Sequence, residues 1–200
     1  AREWLERCKQ VIPGKQSSHP NLFCPFPGFS SETCFRTDCV VPDTATYPLS
    51  EVSLKRSFAK GGDVGICELV EQFAGGLLNL DEKHRIDVVI CSLPKEILGA
   101  TEDDTSLPVQ NFRALLKAKS MRCRFPIQLL QPRTYGGRGN RSPVLARKGT
   151  YQQTSTQDEA TCAWNFFTAL SYKAGITPWR LAREEKDLDS CYVGISFYKS

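Results

Sequence analysis

Five side chains in the second half of the chain are of the types that hold a compact anion. They are Arg113, Lys117, Gln128, Asn165 and Lys173. A terminal phosphate carries close to two charges and three acceptor oxygens, so it asks for several donors converging from different elements. Arg113 would supply a planar fork, Lys117 and Lys173 point charges, and Gln128 and Asn165 amide donors. Charge-assisted hydrogen bonds of this kind are worth about 1.5–3 kcal/mol each. Arg113 and Lys117 stand four apart, and so do Asn165, Ala169 and Lys173, which puts each set on one face of a helix. A cation in a last helical turn is also what the helix dipole favours, so Lys173 alone says little. Its neighbours in sequence change that. Between positions 105 and 183 there are 13 basic side chains against 2 acidic ones, Asp158 and Glu159, although the net charge of the whole chain is only +4. A block of that kind is the footprint of a surface that holds phosphates, or else of a solvated basic face.

The elements that must position these residues can be read from pattern. Residues 161–181, TCAWNFFTALSYKAGITPWRL, form one helix with Ala163, Trp164, Phe167 and Leu170 on its core side. Gly175 ends it and Pro178 lies just beyond. Thr156 with Glu159 fits a capping box at its start. Residues 86–93, IDVVICSL, are a central parallel strand, and 125–130 the next strand, with Gln128 inside it. Between them a helix over 107–121 is expected, capped by Ser106, packing through Phe112, Leu115, Leu116 and Ala118. An earlier helix over 64–80, capped by Asp63, carries Ile66, Leu69, Val70, Phe73, Leu77 and Leu78 on its apolar side. Residues 3–11 suggest a short helix ended by Pro13 and Gly14, 35–41 a short strand, and 191–198, CYVGISFY, a final one. Residues 133–153 read as a long, basic, Gly-rich connection. Helix and strand in alternation imply an α/β, Rossmann-like domain with a parallel central sheet flanked by helices, preceded by a loop-rich N-terminal segment. In such folds ligands collect at the carboxyl ends of strands and at nearby helix ends.

Several chemistries lack their motif. There is no GxxxxGK[ST], GxSxG or HExxH. Gly137, Gly139 and Ser142 make a degenerate GxGxxG, but Pro143 follows where a helix should start. His19 and His84, the two histidines, have no partner motif. Asp103 and Asp104 read as a loop pair near a helix start. Nine cysteines, with Cys67, Cys91, Cys162 and Cys191 in apolar patterns, suit reduced, buried thiols better than a disulfide framework. His19, Cys24, Cys34 and Cys39 have irregular spacing for zinc. No run of ~20 apolar residues is present. The charged opening AREWLERCKQ has no apolar signal core, so a cytoplasmic protein is expected, without membrane contact. The chain has no initiator Met and reads as a processed, trimmed or excerpted one.

The set RxxxK (Arg113, Lys117), Gln128 eleven residues on, and AWN…YKAG..PWRL (163–181) resembles the MID domain of prokaryotic Argonautes. The likeness covers residues 86–200 best. It implies three parts: 1–60 as a segment packing on MID and PIWI, 61–185 as the MID domain, and 186–200 as the first strand of PIWI. It also implies that Arg113, Lys117, Gln128 and Lys173 hold the 5′-phosphate of a guide strand. Asn165, with Arg133 and Arg138 in the basic connection, would lie along the backbone and first nucleotides. Arg113 stands where many relatives carry Tyr or His, exchanging ring stacking for a bidentate donor. A divalent ion, usually magnesium, bridges guide phosphates in the family. The PFPG stretch (25–28) and the lack of a PAZ region look like the short type, which keeps only MID and PIWI. Those resemble RNA-guided sensors of complementary DNA in prokaryotic immunity, partnered by an APAZ-bearing TIR or SIR2-type NAD-degrading effector. The chain itself would then be no enzyme, since any nuclease carboxylates would follow Ser200. Two other functions remain open on the residues alone: a nucleotide-cofactor enzyme on a Rossmann-like sheet, and a docking segment of a larger defence complex.

Overall fold

A computed structural model describes residues 1–15, 24–94, 109–135, 144–145, 151–152 and 157–179. The fold is mixed α/β. In chain order its elements are α1 (Arg2–Arg7), α2 (Glu51–Lys60), α3 (Gly62–Lys83), β1 (Val89–Ser92), α4 (Val109–Ser120), β2 (Ile127–Leu130), α5 (Pro132–Tyr135), β3 (Val144–Leu145), β4 (Tyr151–Gln152) and α6 (Glu159–Lys173). One further 3-10 turn spans Asp43–Ala45.

β1 and β2 pair in parallel, Val89 opposite Ile127 and Ser92 opposite Leu130. A parallel pair needs a crossover, and the connection through α4 is that crossover. Each face of the pair is covered. On one side α3 and α4 pack through Leu69, Val70, Phe73, Leu77, Phe112 and Leu116, against Val89, Cys91 and Ile127. On the other, α6 and the N-terminal segment pack against Leu130 and the half-buried Val88 and Ile90. This second core is an aromatic pile: Phe167 stacks on Trp4, Phe26 and Phe29, with ring centroids 6.0, 5.6 and 4.5 Å away. Trp164 donates its indole N–H to the Pro25 carbonyl at 3.2 Å, fixing the PFPG stretch to α6. The basic connection holds a short antiparallel pair, β3 with β4.

Several local expectations are corrected. α1 stops at Arg7, four residues short of the expected end at Val11 and well before Pro13. α2 was not foreseen. It is polar on average, with Ser57 its one buried residue. α3 starts at Gly62 behind Gly61, not at an Asp63 cap, and runs on to Lys83. Gly65 lets α2 and α3 touch: a Cβ there would stand 2.5 Å from the Ser57 carbonyl oxygen. Leu78, Leu115 and Ala118, assigned to the core, are exposed, and so is Cys67. Residues 35–41 join no ladder: Phe35 closes a turn and Arg36 takes φ +51°. Asp158, not Thr156, caps α6: its carboxylate accepts from the Thr161 backbone N–H (3.1 Å) and hydroxyl (2.7 Å). Ser106, Thr156, His19, Asp103, Asp104 and the 191–198 strand lie outside the described residues. No described helix is long and apolar enough to cross a membrane.

Candidate anion-binding site

α6 ends as its sequence requires. Gly175 takes φ +76°, which strains any residue with a Cβ, and the Ile176 N–H reaches back to the Ser171 carbonyl at 2.9 Å. The helix therefore stops with Lys173 in its final turn. The Lys173 ammonium donates to the carbonyl of Ile127, the first residue of β2, at 2.5 Å. That contact sets the C-terminal end of α6 against the amino end of the strand.

The bond also locates the cleft. The carbonyls of Pro126 and Leu130 accept from Val89 and Leu93, so those of Ile127 and Leu129 face the opposite edge of β2. Lys173 covers the first, and the Gln128 side-chain amide covers the second at 3.2 Å. Along this edge lies a cleft of about 230 Å³, lined by Arg113 and Lys117 from α4, Gln128 from β2, and Asn165 and Lys173 from α6. The five residues that the sequence singled out are thus brought together by three elements. The cleft runs along the strand's edge, from its amino end to Gln131 and Thr134 past its carboxyl end, and takes in Lys173 of the last turn of α6. Arg133 falls in α5 next to Thr134, with its side chain outside the described residues, and Arg138 lies outside them altogether.

The electrostatics are one-sided. Among the described lining residues none is acidic. Neighbouring cations in and just after α4 are taken: Lys119 pairs with Glu71 at 2.6 Å and Arg124 with Asp81 at 3.1 Å. Glu159, at the start of α6, is turned away to Arg7. Arg113 and Lys117 have no ion-pair partner among the described residues. Burial, and then the charges of Lys117 and Arg113, hold the Lys173 ammonium below the ordinary lysine value. Three cations without a counter-charge among the described residues, Lys173 half-buried and Arg113 and Lys117 exposed, favour an incoming anion.

Gln131, Thr134, Gln157 and Cys162 also line the cleft, and sequence reasoning passed over them. Gln157 was the most findable, eight residues before Asn165, whose amide donates to it at 3.2 Å. Among the described residues no group of three His, Cys, Asp or Glu side chains could hold a metal ion. An ion bridging phosphates would have to draw its ligands from the bound strand itself or from elsewhere. The thiols of Cys8 and Cys91 are pushed up to about 12, chiefly by burial, and offer no nucleophile.

No protein-family model matches the chain, and no curated protein matches it.

Proposed function

We propose that the chain anchors the 5′-terminal phosphate of a guide strand, in a Rossmann-like MID module of the short prokaryotic Argonaute type. The observation that carries this reading is the convergence of Arg113, Lys117, Gln128, Asn165 and Lys173 on one cleft with no acidic lining residue among those described. A phosphate monoester has the charge that three cations require and the acceptor count that two amides and a guanidinium can fill. An internal phosphodiester, with one charge and two free oxygens, would leave donors unmet. The proposed guide is RNA, its target complementary DNA, and Arg133 and Arg138 extend the contact along the backbone. Magnesium between guide phosphates and an APAZ-bearing effector subunit belong to the same proposal, as does the assignment of any nuclease chemistry to sequence after Ser200.

The test is equilibrium binding of one RNA oligonucleotide carrying either a 5′-phosphate or a 5′-hydroxyl, at fixed salt. The phosphorylated strand should bind at least about tenfold more tightly, the equivalent of one charge-assisted bond. Equal affinities would end the proposal. The same comparison on DNA strands identifies the guide chemistry.

A further inference from the structure

The two edges of the β1–β2 pair are not alike. Side chains of Lys173 and Gln128 cover the β2 edge. At β1, the residues that bond to β2 alternate with Val88, Ile90 and Ser92, whose backbone groups point outward. Among the described residues these groups take no hydrogen bond. They line a cavity of about 770 Å³ that residues 37–41 also line. Thr37 and Cys39 are half-buried and Asp38 and Val40 exposed, the alternation of a strand over these four residues. Cys39 and Ile90 pack against the same core cluster, so both point to the same side of the sheet. The segment is fixed at both ends. Phe35 is locked among Phe26, Phe29 and Trp164. Farther on, Asp43 and Thr46 accept hydrogen bonds from Arg2.

A segment with the alternation of a strand, and a strand edge whose polar groups have no partner among the described residues, line one cavity and are two halves of a ladder. We propose that residues 37–41 form a strap that closes onto β1 as a third strand, giving the order strap–β1–β2. Closure satisfies the outward backbone groups of Ile90. It fills the cavity with the strap's own backbone. Leu170, Ser171, Ala174 and Ile176 line the same cavity, so the closed strap braces the helix end that carries Lys173. The inference is independent of what the anion cleft holds.

Two measurements test it. Amide hydrogen exchange on the whole chain should show Ile90 slowed on the order of a hundredfold or more relative to an unstructured peptide. Exchange at the unstructured rate overturns closure. In Ile90→Cys, mild oxidation should join the new thiol to Cys39, because side chains opposite each other on neighbouring strands have Cβ atoms about 4.5–5.5 Å apart. Peptide mapping identifies the bridge, and Cys39→Ser in the same background should abolish it. Absence of the bridge in a variant that keeps the wild-type circular dichroism spectrum also overturns the proposal.

Discussion

Lys173→Ala isolates the proposed function most cleanly. In the free protein the ammonium is already held, donating to the Ile127 carbonyl at 2.5 Å, so little ordering is left to do when an anion arrives. Two of its three N–H donors remain for a ligand. Removing a charge-assisted bond of about 1.5–3 kcal/mol, at 1.4 kcal/mol per decade, should weaken binding of a 5′-phosphorylated strand about ten- to a hundredfold. The fold should survive. Loss of the Ile127 bond costs about 0.5–1.5 kcal/mol. Relief of the repulsion from Lys117 and Arg113, which with burial lowers the Lys173 pKa, works in the opposite direction. Fluorescence anisotropy at one fixed salt concentration, with 5′-phosphate and 5′-hydroxyl versions of one strand, separates the terms. The phosphorylated strand should lose affinity while the hydroxyl strand changes by less than about threefold. A Lys117→Ala, Lys173→Ala double variant should lose less than the sum of the singles, because both ammoniums address one group. If the variant weakens both strands equally, Lys173 is a general backbone cation, and the cradle argument fails.

Other expectations follow from the same geometry. Phe167→Ala empties the centre of the aromatic pile and should cost about 3–5 kcal/mol in urea unfolding, detaching the N-terminal segment from α6. Asp158→Ala should cost about 0.5–2 kcal/mol and Asp158→Asn much less, since the amide oxygen still caps α6. A thiol reagent should modify Cys34 and Cys67 in the native protein but reach Cys8 and Cys91 only after unfolding, as peptide mass mapping can show. Lys173 binds its proton less tightly folded than unfolded. The wild type should therefore gain stability relative to Lys173→Met as pH rises from the lowered folded pKa toward the ordinary 10.5, measured by thermal unfolding with no anion present.

How far the sequence revealed this arrangement depended on the range of the interactions. The pairing of Arg113 with Lys117, and of Asn165 with Lys173, was legible because spacing by four is a local rule of helix geometry. The parallel pairing of β1 and β2 was legible because both strands are short apolar runs around a helical stretch. Distinguishing Arg113 and Lys117 from Lys119 and Arg124 was not. All four are basic residues in or near one helix, and only the tertiary positions of Glu71 and Asp81 show which are neutralised. The aromatic pile was hidden for a similar reason. Trp4, Phe26 and Phe29 share no period, and what unites them is a single distant ring, Phe167, with Phe35 joining through Phe26, Phe29 and Trp164. Asp158 and Thr156 are both good caps by type, and only the hydrogen bonds to Thr161 decide for Asp158.

α6 joins these parts. Its aromatic side is fixed by the N-terminal pile, its Asn165 and Lys173 line the cleft, and its Gly175 turn sets where the cations stop. The pile reaches the cleft at Phe166 and holds the helix rotation that aims Lys173 at β2. The arrangement brings three cations together and leaves Arg113 and Lys117 without an ion-pair partner among the described residues, a cost that the folded state bears while the cleft holds no anion. A dianion would return that cost on binding, and a neutral ligand of the same shape would not. Charge, more than shape, is therefore what the cleft should select. A phosphate monoester loses its second charge near pH 6. The proposed preference for a 5′-phosphate should accordingly weaken as pH falls through that value. A preference that held constant from pH 7.5 to pH 5 would mean that hydrogen-bond count, and not the second charge, sets the selectivity.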